Sequence, residues 1–473
     1  MCKRTKIVAT IGPACDSAER ILELAGAGVD MFRVNFSHGD ERQRAAAIRH
    51  VRSAEARLGR PLALCADLCG PKIRVGLIEG NELRLEPGHS LVICRQPIVG
   101  HAGRISTTLP ELVDAVHAGE IILLADGRLR LEVVSVQPPD QFTCRVREGG
   151  ILTSGKGVNL PQTQLRIGAL TEKDLRDVEW IAHQDFDFVA LSFVQRADDV
   201  RQLRALLQQR GSRAQIIAKI EKPQAIDHID AIIDDADAIM VARGDLGVEM
   251  DFPSVPITQK AIAHGCERVG KPCIVATEML ESMVQAPRPT RAEVSDVANA
   301  VFDRADAVML SAESAIGRYP VAAVSAMKRT VKAADDYQDQ HAPEVRMALH
   351  HADTTAALAG ALHAIMQMCP IAAVAVFTVS GTTARLIAKN RPPCPILALS
   401  ANVGALRRCC LYRGVIPHAI ATPRDTADAV RAAAAACRQL GLAEPGQRVI
   451  VLAGHPFDVP GNTNGLIVMR IGD

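Results

Sequence analysis

The chain has 473 residues, enough for about three domains, and its 54 Lys and Arg residues balance 53 Asp and Glu residues. This near-zero net charge provides no general attraction to nucleic acid or to an anionic membrane surface. The apolar runs stay well short of the ~18 residues of a membrane span, and no secretion signal precedes the first predicted strand, so we expect a cytoplasmic protein.

Short apolar runs alternate with segments of helical periodicity, which is the pattern of a parallel sheet built from βα units. There are eight such runs, the number that closes a (β/α)8 TIM barrel, and in that fold the functional residues lie at the carboxyl ends of the strands. The predicted barrel strands are residues 6–12, 29–37, 62–68, 187–194, 215–221, 237–243, 272–277 and 306–311.

The pattern of predicted strands, helices and turns changes at two places along the chain. Between the third and fourth barrel strands, Pro-Gly and Asp-Gly turn signals separate short alternating segments, which predicts a small inserted β-barrel domain. A polar stretch begins at Asp335, and a second α/β pattern follows it. We therefore predict a barrel made of residues 1–70 and 159–340, an insert of residues 71–158, and a C-terminal α/β domain of residues 341–473. The strands predicted for the last domain are 371–378, 394–399, 414–421, 448–453 and 466–470.

Polar side chains stand at the ends of the predicted barrel strands, often two residues apart, which places them on one face of a strand. Each has an ordinary explanation by itself: Glu221 can pair with Lys219, and Asp245 can cap a helix. Several desolvated charges in one space, however, cost stability unless a ligand or metal uses them. The residues in strand order are Arg33, Asn35, Ser37, Asp67, Lys72, Arg74, Lys219, Glu221, Asp245, Thr277, Ser311 and Glu313.

A series of motifs then identifies a family. MFRVNFSHG (31–39), DLCGPKIR (67–74), SGKGVNLP (154–161), IIAKIEKP (216–223), VARGDLG (241–247), VATEMLESM (275–283) and AVMLSAES (307–314) resemble the successive motifs of pyruvate kinases. The similarity extends from TKIVATIGPA (5–14) to RVIVLAGHP (448–456). It implies an enzyme of glycolysis that transfers the phosphoryl group of phosphoenolpyruvate to ADP, giving pyruvate and ATP, and by family analogy a homotetramer.

The charges at the strand ends agree with that activity. Glu221 and Asp245 form a hard oxygen site suited to Mg2+ or Mn2+. Lys219 and Arg33 are expected to face the transferring phosphoryl group, whose transition state spreads negative charge over its oxygens. The backbone amides of Gly244 and Asp245, with Thr277, are expected to bind the carboxylate of phosphoenolpyruvate.

The resemblance assigns the remaining steps. It implies that Thr277, with a relay through Ser311 and Glu313, protonates the enolate product, while the final proton donor stays open. It also places ADP between the barrel and the insert, which would act as a lid. The implied nucleotide contacts are Asn35, His38, Arg74 and Lys156, although His38 beside Gly39 fits a turn equally well.

One group of residues departs from the family pattern. Many members have Thr and Lys where this chain has Leu68 and Cys69, and Glu where it has Lys72. The monovalent ion site of the family would use the side chains of Asn35, Ser37 and Asp67 and the backbone carbonyl of Leu68. We predict that the ammonium of Lys72 lies near this cluster and replaces K+, so that K+ is not required. The alternative is that Lys72 only exchanges one surface charge for another.

Hydroxyl groups gather where a C-terminal strand enters a helix, which is the place where family members bind a phosphorylated effector. Simple helix capping by these residues is the alternative. The later loop 453–464 lacks the basic residue that some relatives use for a sugar bisphosphate, so we expect activation by a sugar monophosphate or AMP. The proposed phosphate-binding residues are Thr378, Ser380, Thr382 and Thr383.

Two other functions fit part of the pattern. A catalytically silent barrel could sense phosphometabolites through its C-terminal domain, but the intact Lys219, Glu221 and Asp245 argue against it. A barrel aldolase or lyase acting on a pyruvate enolate would share the metal carboxylates. Such an enzyme would have no use for an inserted lid or for SGKGVNLP.

Overall fold

The computed structural model describes residues 3–163, 165, 168–341, 354–457, 459 and 461–472. The chain begins with strands of a barrel, separated by helices with clear start and stop signals. The side chains of Asp40 and Gln43 form a capping box at the start of the second helix, and Gly59 ends it with a left-handed backbone. These elements are β1 (Lys6–Ile11), α1 (Ala18–Ala27), β2 (Met31–Asn35), α2 (Glu41–Leu58) and β3 (Ala63–Asp67).

After β3 the chain forms the inserted β domain. Its elements are β4 (Leu83–Leu85), β5 (Ser90–Cys94), β6 (Arg104–Ser106), α3 (Leu112–Ala115), β7 (Ile121–Leu124), β8 (Leu129–Gln137), β9 (Gln141–Glu148), β10 (Gly150–Leu152) and β11 (Val158–Asn159). One sheet has the order β11-β7-β8-β9-β5-β6, and β10 pairs with β4. Alternate residues of β8, namely Leu129, Leu131 and Val133, are buried in the core of the insert, as the period of a half-buried strand requires.

The chain then returns to the barrel and alternates strands with helices. Capping boxes begin two of these helices, with Thr171 and Asp174 at one and Thr290 and Glu293 at the other. The elements are α4 (Glu172–Ala182), β12 (Phe188–Leu191), α5 (Ala197–Gln209), β13 (Gln215–Ile220), α6 (Ile229–Asp235), β14 (Ala238–Ala242), α7 (Arg243–Glu249), α8 (Ser254–Arg268), β15 (Cys273–Ala276), α9 (Arg291–Phe302), β16 (Ala307–Leu310), α10 (Ala312–Ala315) and α11 (Pro320–His341).

Eight parallel strands close the barrel in the order β1-β16-β15-β14-β13-β12-β3-β2. All eight predicted strands are therefore confirmed. Strands such as β3, β12 and β14 are buried throughout, which explains why they read as continuous apolar runs rather than as alternating ones. Because all eight strands run in the same direction, their carboxyl ends meet at one mouth.

The C-terminal domain is a five-stranded α/β sheet of order β19-β18-β17-β20-β21, in which only β21 is antiparallel to its neighbour. All five of its predicted strands are present. No helix in the described part of the chain is long and apolar enough to cross a membrane. The elements are α12 (Thr354–Met368), β17 (Ala373–Phe377), α13 (Thr382–Lys389), β18 (Ile396–Ser400), α14 (Val403–Cys409), β19 (Val415–Ala419), α15 (Thr426–Gln439), β20 (Arg448–Gly454) and β21 (Thr463–Arg470).

The polar stretch that begins at Asp335 is helical, because α11 continues through it to His341. Asp335 is buried, and its carboxylate accepts hydrogen bonds from the backbone of Arg4 and Thr5 and from the side chain of Arg413. Burial opposes its ionisation, but Arg413 and these bonds lower its pKa. A run of charged residues that read as a boundary is therefore partly a buried ion-pair contact between the barrel and the C-terminal domain.

Candidate active site

Lys219 lies at the centre of the barrel mouth. It is the penultimate residue of β13, and its Nζ lies 2.7 Å from Ser192 Oγ, 2.8 Å from Glu221 Oε1 and 3.1 Å from Asp67 Oδ1. Burial opposes the charge of the ammonium, but the carboxylates of Asp67 and Glu221 outweigh it and raise the pKa of Lys219. The Lys219 ammonium therefore stays charged, and residues at several strand ends hold it in place.

Arg33 provides a second cation beside Lys219. Its Nε donates to Asp67, and its Nη1 donates to Thr10 Oγ1 over 3.0 Å. Burial of Asp67 opposes ionisation, yet the charges of Arg33 and Lys219 lower its pKa. One buried carboxylate thus orients both cations, and a ligand at the mouth meets two pre-positioned positive charges.

Glu221 and Asp245 provide the oxygen atoms expected of a metal site. Glu221 Oε2 accepts a hydrogen bond from the Phe193 amide over 2.8 Å, and the nearest cation to Asp245 is Lys72, with Nζ 3.5 Å from Oδ1. Burial and the nearby charge of Asp245 raise the pKa of Glu221 against the opposing effect of Lys219. A buried carboxylate whose ionisation is opposed by burial and by a second carboxylate is suited to a hard divalent cation, which would compensate the negative charge.

Within the described residues, no cluster of three or more His, Cys, Asp or Glu side chains is arranged to hold a metal ion. The predicted ligands Glu221 and Asp245 are two carboxylates. That is the ligand count expected of Mg2+, which keeps waters and binds through one or two carboxylates together with substrate oxygens.

Thr277 follows β15 in a strained conformation. Its φ is 71° and that of Glu278 is 55°, in the left-handed region that is unfavourable for a β-branched residue. Thr277 Oγ1 accepts a hydrogen bond of 2.7 Å from the Gly244 amide, and Arg243 Nη2 donates to the Thr277 carbonyl over 2.9 Å. The Gly244 amide and the Thr277 hydroxyl were both predicted to bind the substrate carboxylate. In the structure the Gly244 amide donates its hydrogen bond to Thr277 Oγ1.

The predicted relay from Ser311 to Glu313 is not formed through the serine hydroxyl. Glu313 is fully buried, and its two oxygens accept the backbone amides of Ser311, at 2.7 Å, and Leu280, at 2.9 Å. Ser311 Oγ is buried without a hydrogen-bond partner among the described residues. The reason is that β16 ends at Leu310, so the two side chains do not lie on one face of a strand; Glu313 already belongs to α10.

The predicted nucleotide contacts fall into two pairs at the edge of the mouth. Arg74 and Lys156 lie together where the chain enters and leaves the insert: Arg74 Nη1 donates to the Gly155 carbonyl over 3.0 Å, and the Lys156 carbonyl accepts the Val75 amide. His38 is exposed in the turn after β2, and Asn35 Oδ1 accepts the Ser37 amide over 3.0 Å.

Lys72 does not take the predicted position. Its ammonium contacts Asp245, whereas the prediction placed it beside Asn35, Ser37 and Asp67. The acceptors of that cluster already have donors: Asp67 has Arg33 and Lys219, and the Leu68 carbonyl accepts Ser192 Oγ over 2.8 Å. Ser37 also lies beyond the end of β2, so it does not share a strand face with Arg33.

Two residues of the site were not predicted from the sequence. Ser192 follows β12 and bridges Lys219 to the Leu68 carbonyl, and Thr10 near the end of β1 orients Arg33. The rule applied to the other strands, a polar side chain at a barrel strand end, identifies both when it is extended to the first and fourth strands.

The predicted effector residues gather at the start of α13. Thr378 Oγ1 accepts the Gly381 amide over 2.9 Å, and Ser380 Oγ lies 2.9 Å from Thr382 Oγ1. Gly381 has a positive φ of 93°, which turns the chain into the helix. Thr378 and Thr383 are buried, and Thr383 bonds to Thr463 of β21 at 2.6 Å, so only the hydroxyls of Ser380 and Thr382 remain near the loop surface.

Comparison with known proteins agrees with this geometry. Residues 2–324 match the family model described as pyruvate kinase, barrel domain, and residues 356–469 match the model described as pyruvate kinase, alpha/beta domain. A pyruvate kinase of Agrobacterium vitis is 43% identical over 99% of this chain and 99% of its own length. That of Methylorubrum extorquens is 43% identical over 98% of this chain and 96% of its own. That of Geobacillus stearothermophilus is 41% identical, covering 100% of this chain and 81% of its own.

Proposed function

The chain belongs to the pyruvate kinase family and transfers a phosphoryl group from phosphoenolpyruvate to ADP, and we propose that the polar cluster at the barrel mouth performs this transfer. The observation that supports the assignment best is the Lys219 ammonium, held by Asp67, Glu221 and Ser192 beside Arg33. These contacts fix two cations before substrate arrives, so they need no reorganisation during the reaction.

Lys219 and Arg33 act on the phosphoryl group. Its transition state is loose and spreads charge over three oxygens, so fixed cations stabilise it more than they stabilise the bound substrate. Asp67 pairs with both cations. The positive charges of Lys219 and Arg33 are thereby held at the mouth, where the phosphoryl oxygens would pass from substrate to nucleotide.

Glu221 and Asp245 would hold the divalent ion, Mg2+ or Mn2+. Such an ion, when bound, supplies positive charge that polarises substrate oxygens. The protein holds one of the two ligands rigidly, because Glu221 is fixed by Lys219 and by the Phe193 amide. Asp245 is more exposed, lies in the first turn of the short helix α7 and pairs with Lys72.

The enolate that remains after transfer must gain a proton at carbon. Thr277 is the hydroxyl that we assign to the substrate side of this step, since its backbone strain fixes Oγ1 beside Gly244. Glu313 shapes this edge by binding the amides of Ser311 and Leu280. Ser311 Oγ, buried and unpartnered, is available to a water or substrate atom at this edge.

We also propose that K+ is not required. The acceptors that would bind a monovalent ion already receive hydrogen bonds from Arg33, Lys219, Ser37 and Ser192. Lys72 adds a tethered ammonium at the same mouth, on Asp245. A cation joined to the chain loses no translational freedom on each cycle, which favours it over a free ion.

ADP is proposed to bind between the mouth and the insert, near Asn35, His38, Arg74 and Lys156. The hydroxyl groups of Thr378, Ser380, Thr382 and Thr383 are proposed to bind the phosphate of a sugar monophosphate or AMP that activates the enzyme. We propose a cytoplasmic homotetramer, following the family pattern.

One coupled assay tests the activity. Purified protein with phosphoenolpyruvate, ADP and Mg2+ should form ATP and pyruvate in equal amounts. Formation of neither product would contradict the kinase activity and favour the silent sensor or the aldolase or lyase.

A further inference from the structure

Glu249 is a buried carboxylate at the junction of the barrel and the insert, outside the cluster described above. It ends α7, the helix that carries the proposed metal residue Asp245 in its first turn, and it is only 4% exposed. Its Oε1 accepts three donors: Lys222 Nζ at 2.9 Å, Asn159 Nδ2 at 3.0 Å and the Leu160 amide at 3.4 Å. One oxygen of Glu249 thus accepts three hydrogen bonds, although Glu249 is not among the residues assigned to the reaction.

The three donors belong to different parts of the molecule. Asn159 ends β11, the strand by which the chain leaves the insert, and β11 is paired with β7 inside that domain. Lys222 directly follows Glu221, the other metal residue. A single oxygen of Glu249 therefore joins the exit of the insert to the segment of Glu221, and its own helix carries Asp245.

The entry of the insert touches the same helix. Lys72, just after β3, contacts Asp245, and a side chain at Gly127 of the insert would lie 3.6 Å from Val248 Cγ1 in α7. Both crossings of the chain between barrel and insert thus meet α7. A displacement of the insert would reach this short helix through the buried Glu249 contacts and through the half-buried Lys72–Asp245 ion pair.

The second oxygen of Glu249 is not satisfied. Oε2 is buried, and no hydrogen-bond partner for it exists among the described residues; the same holds for Gln224 Oε1. Glu249 and Gln224 line one small cavity together with Lys72 and Asp245. A buried acceptor without a partner is unfavourable, so a position of the insert that supplied a second donor would be favoured over this one.

We propose that Glu249 is a positioning residue that makes the binding of a divalent cation at Glu221 and Asp245 depend on the position of the insert. This inference rests on the proposed function, in which those two carboxylates hold the metal. The insert moves Asn159, Asn159 acts on Glu249, and Glu249 shifts Lys222 and α7, which carry the two metal ligands. Binding at the lid and binding of the metal are then coupled, and by linkage each strengthens the other by the same factor.

The test uses the full-length protein and measures Mn2+ binding directly, from the electron paramagnetic resonance signal of free Mn2+, without substrates. Glu249→Gln keeps the shape but removes the charge, and Asn159→Ala removes only the donor from the insert. We expect each to weaken Mn2+ binding at least about fivefold, the lower range of coupling between sites. Glu249→Asp, which restores the charge, should recover part of the affinity of Glu249→Gln.

The double variant decides whether the residues act in one chain of contacts. If Asn159 acts through Glu249, Asn159→Ala combined with Glu249→Gln binds Mn2+ no more weakly than Glu249→Gln alone. Fully additive losses, or Mn2+ binding within twofold of the parent in both single variants, would overturn the proposal. Glu267→Gln is the matched control: Glu267 is also buried and ion-paired, but with Arg304 and Arg391, and it should leave Mn2+ binding unchanged.

Two further measurements separate the possible failures. Thermal melting identifies a variant that has lost its fold, and Asn159→Ala keeps the test open if Glu249→Gln does not fold. Glu221→Gln tests the metal assignment itself. If Glu221→Gln weakens Mn2+ binding and Asn159→Ala does not, only the coupling fails; if Glu221→Gln has no effect, the proposed metal site fails as well.

Discussion

Replacing Lys219 by Met removes the central cation while keeping the length of the side chain. The ammonium contacts Ser192, Asp67 and Glu221 within about 3 Å, so its loss removes one phosphoryl donor and leaves Glu221 without the cation that lowers its pKa. A single pre-positioned donor is worth about 10²–10³ in turnover. With the added disturbance of Glu221, we expect kcat to fall at least ~10³-fold, or about 4 kcal/mol.

Substrate affinity should change much less, by no more than about tenfold, because the charge matters most in the transition state. Steady-state kinetics with phosphoenolpyruvate and ADP at saturating Mg2+ separates kcat from KM. Lys332→Met is the control, since it removes an exposed lysine paired with Asp336 on α11. A loss of turnover below tenfold in Lys219→Met would refute the role assigned to the ammonium.

Three other predictions follow from the site. Glu221→Gln and Asp245→Asn should each raise the concentration of Mg2+ or Mn2+ needed for half-maximal activity, and unchanged titrations in both would place the metal elsewhere. Ser380→Ala combined with Thr382→Ala should keep saturated turnover but abolish activation by sugar monophosphates or AMP; equal activation of parent and variant contradicts the effector site. Activity should persist in tetramethylammonium buffer, and a rise of tenfold or more with ~100 mM KCl would refute K+ independence. Lys72→Glu should lose activity without K+ and regain part of it when K+ is added.

The barrel was predictable because its strands are buried on both faces. Runs such as IIAKI in β13 and AIMVA in β14 lack alternation, and turn and cap residues separate them from helices. The polar segment at Asp335 was not predictable in the same way, because its charges are satisfied by Arg4 and Arg413, which are distant along the chain. The composition of a segment shows which of its residues are charged. It does not show which distant residues pair with those charges in the fold.

Within the site, residue types were easier to predict than contacts. Lys219, Glu221, Asp67 and Arg33 meet as expected, since parallel strands end at one mouth. Lys72 and Ser311 differ, because both lie beyond the regular strands, where the turn decides the direction of the side chain. A period of two residues describes a strand, and it no longer fixes the direction of a side chain once the chain has turned away from the strand.

The backbone conformation of Thr277 could not be predicted from the sequence, because residues distant along the chain maintain it. A threonine with a φ of 71° is unfavourable by about 1–3 kcal/mol, and no local preference of the sequence VATEML indicates it. The conformation persists because Arg243 holds the Thr277 carbonyl and Gly244 holds its hydroxyl, while Asp296 fixes Arg243 from α9. These contacts join three barrel segments around one strained residue beside Asp245. Strain that several partners maintain at a strand end is more economically explained by the need to aim the Thr277 hydroxyl than by packing, since Thr277 itself is not part of the apolar core.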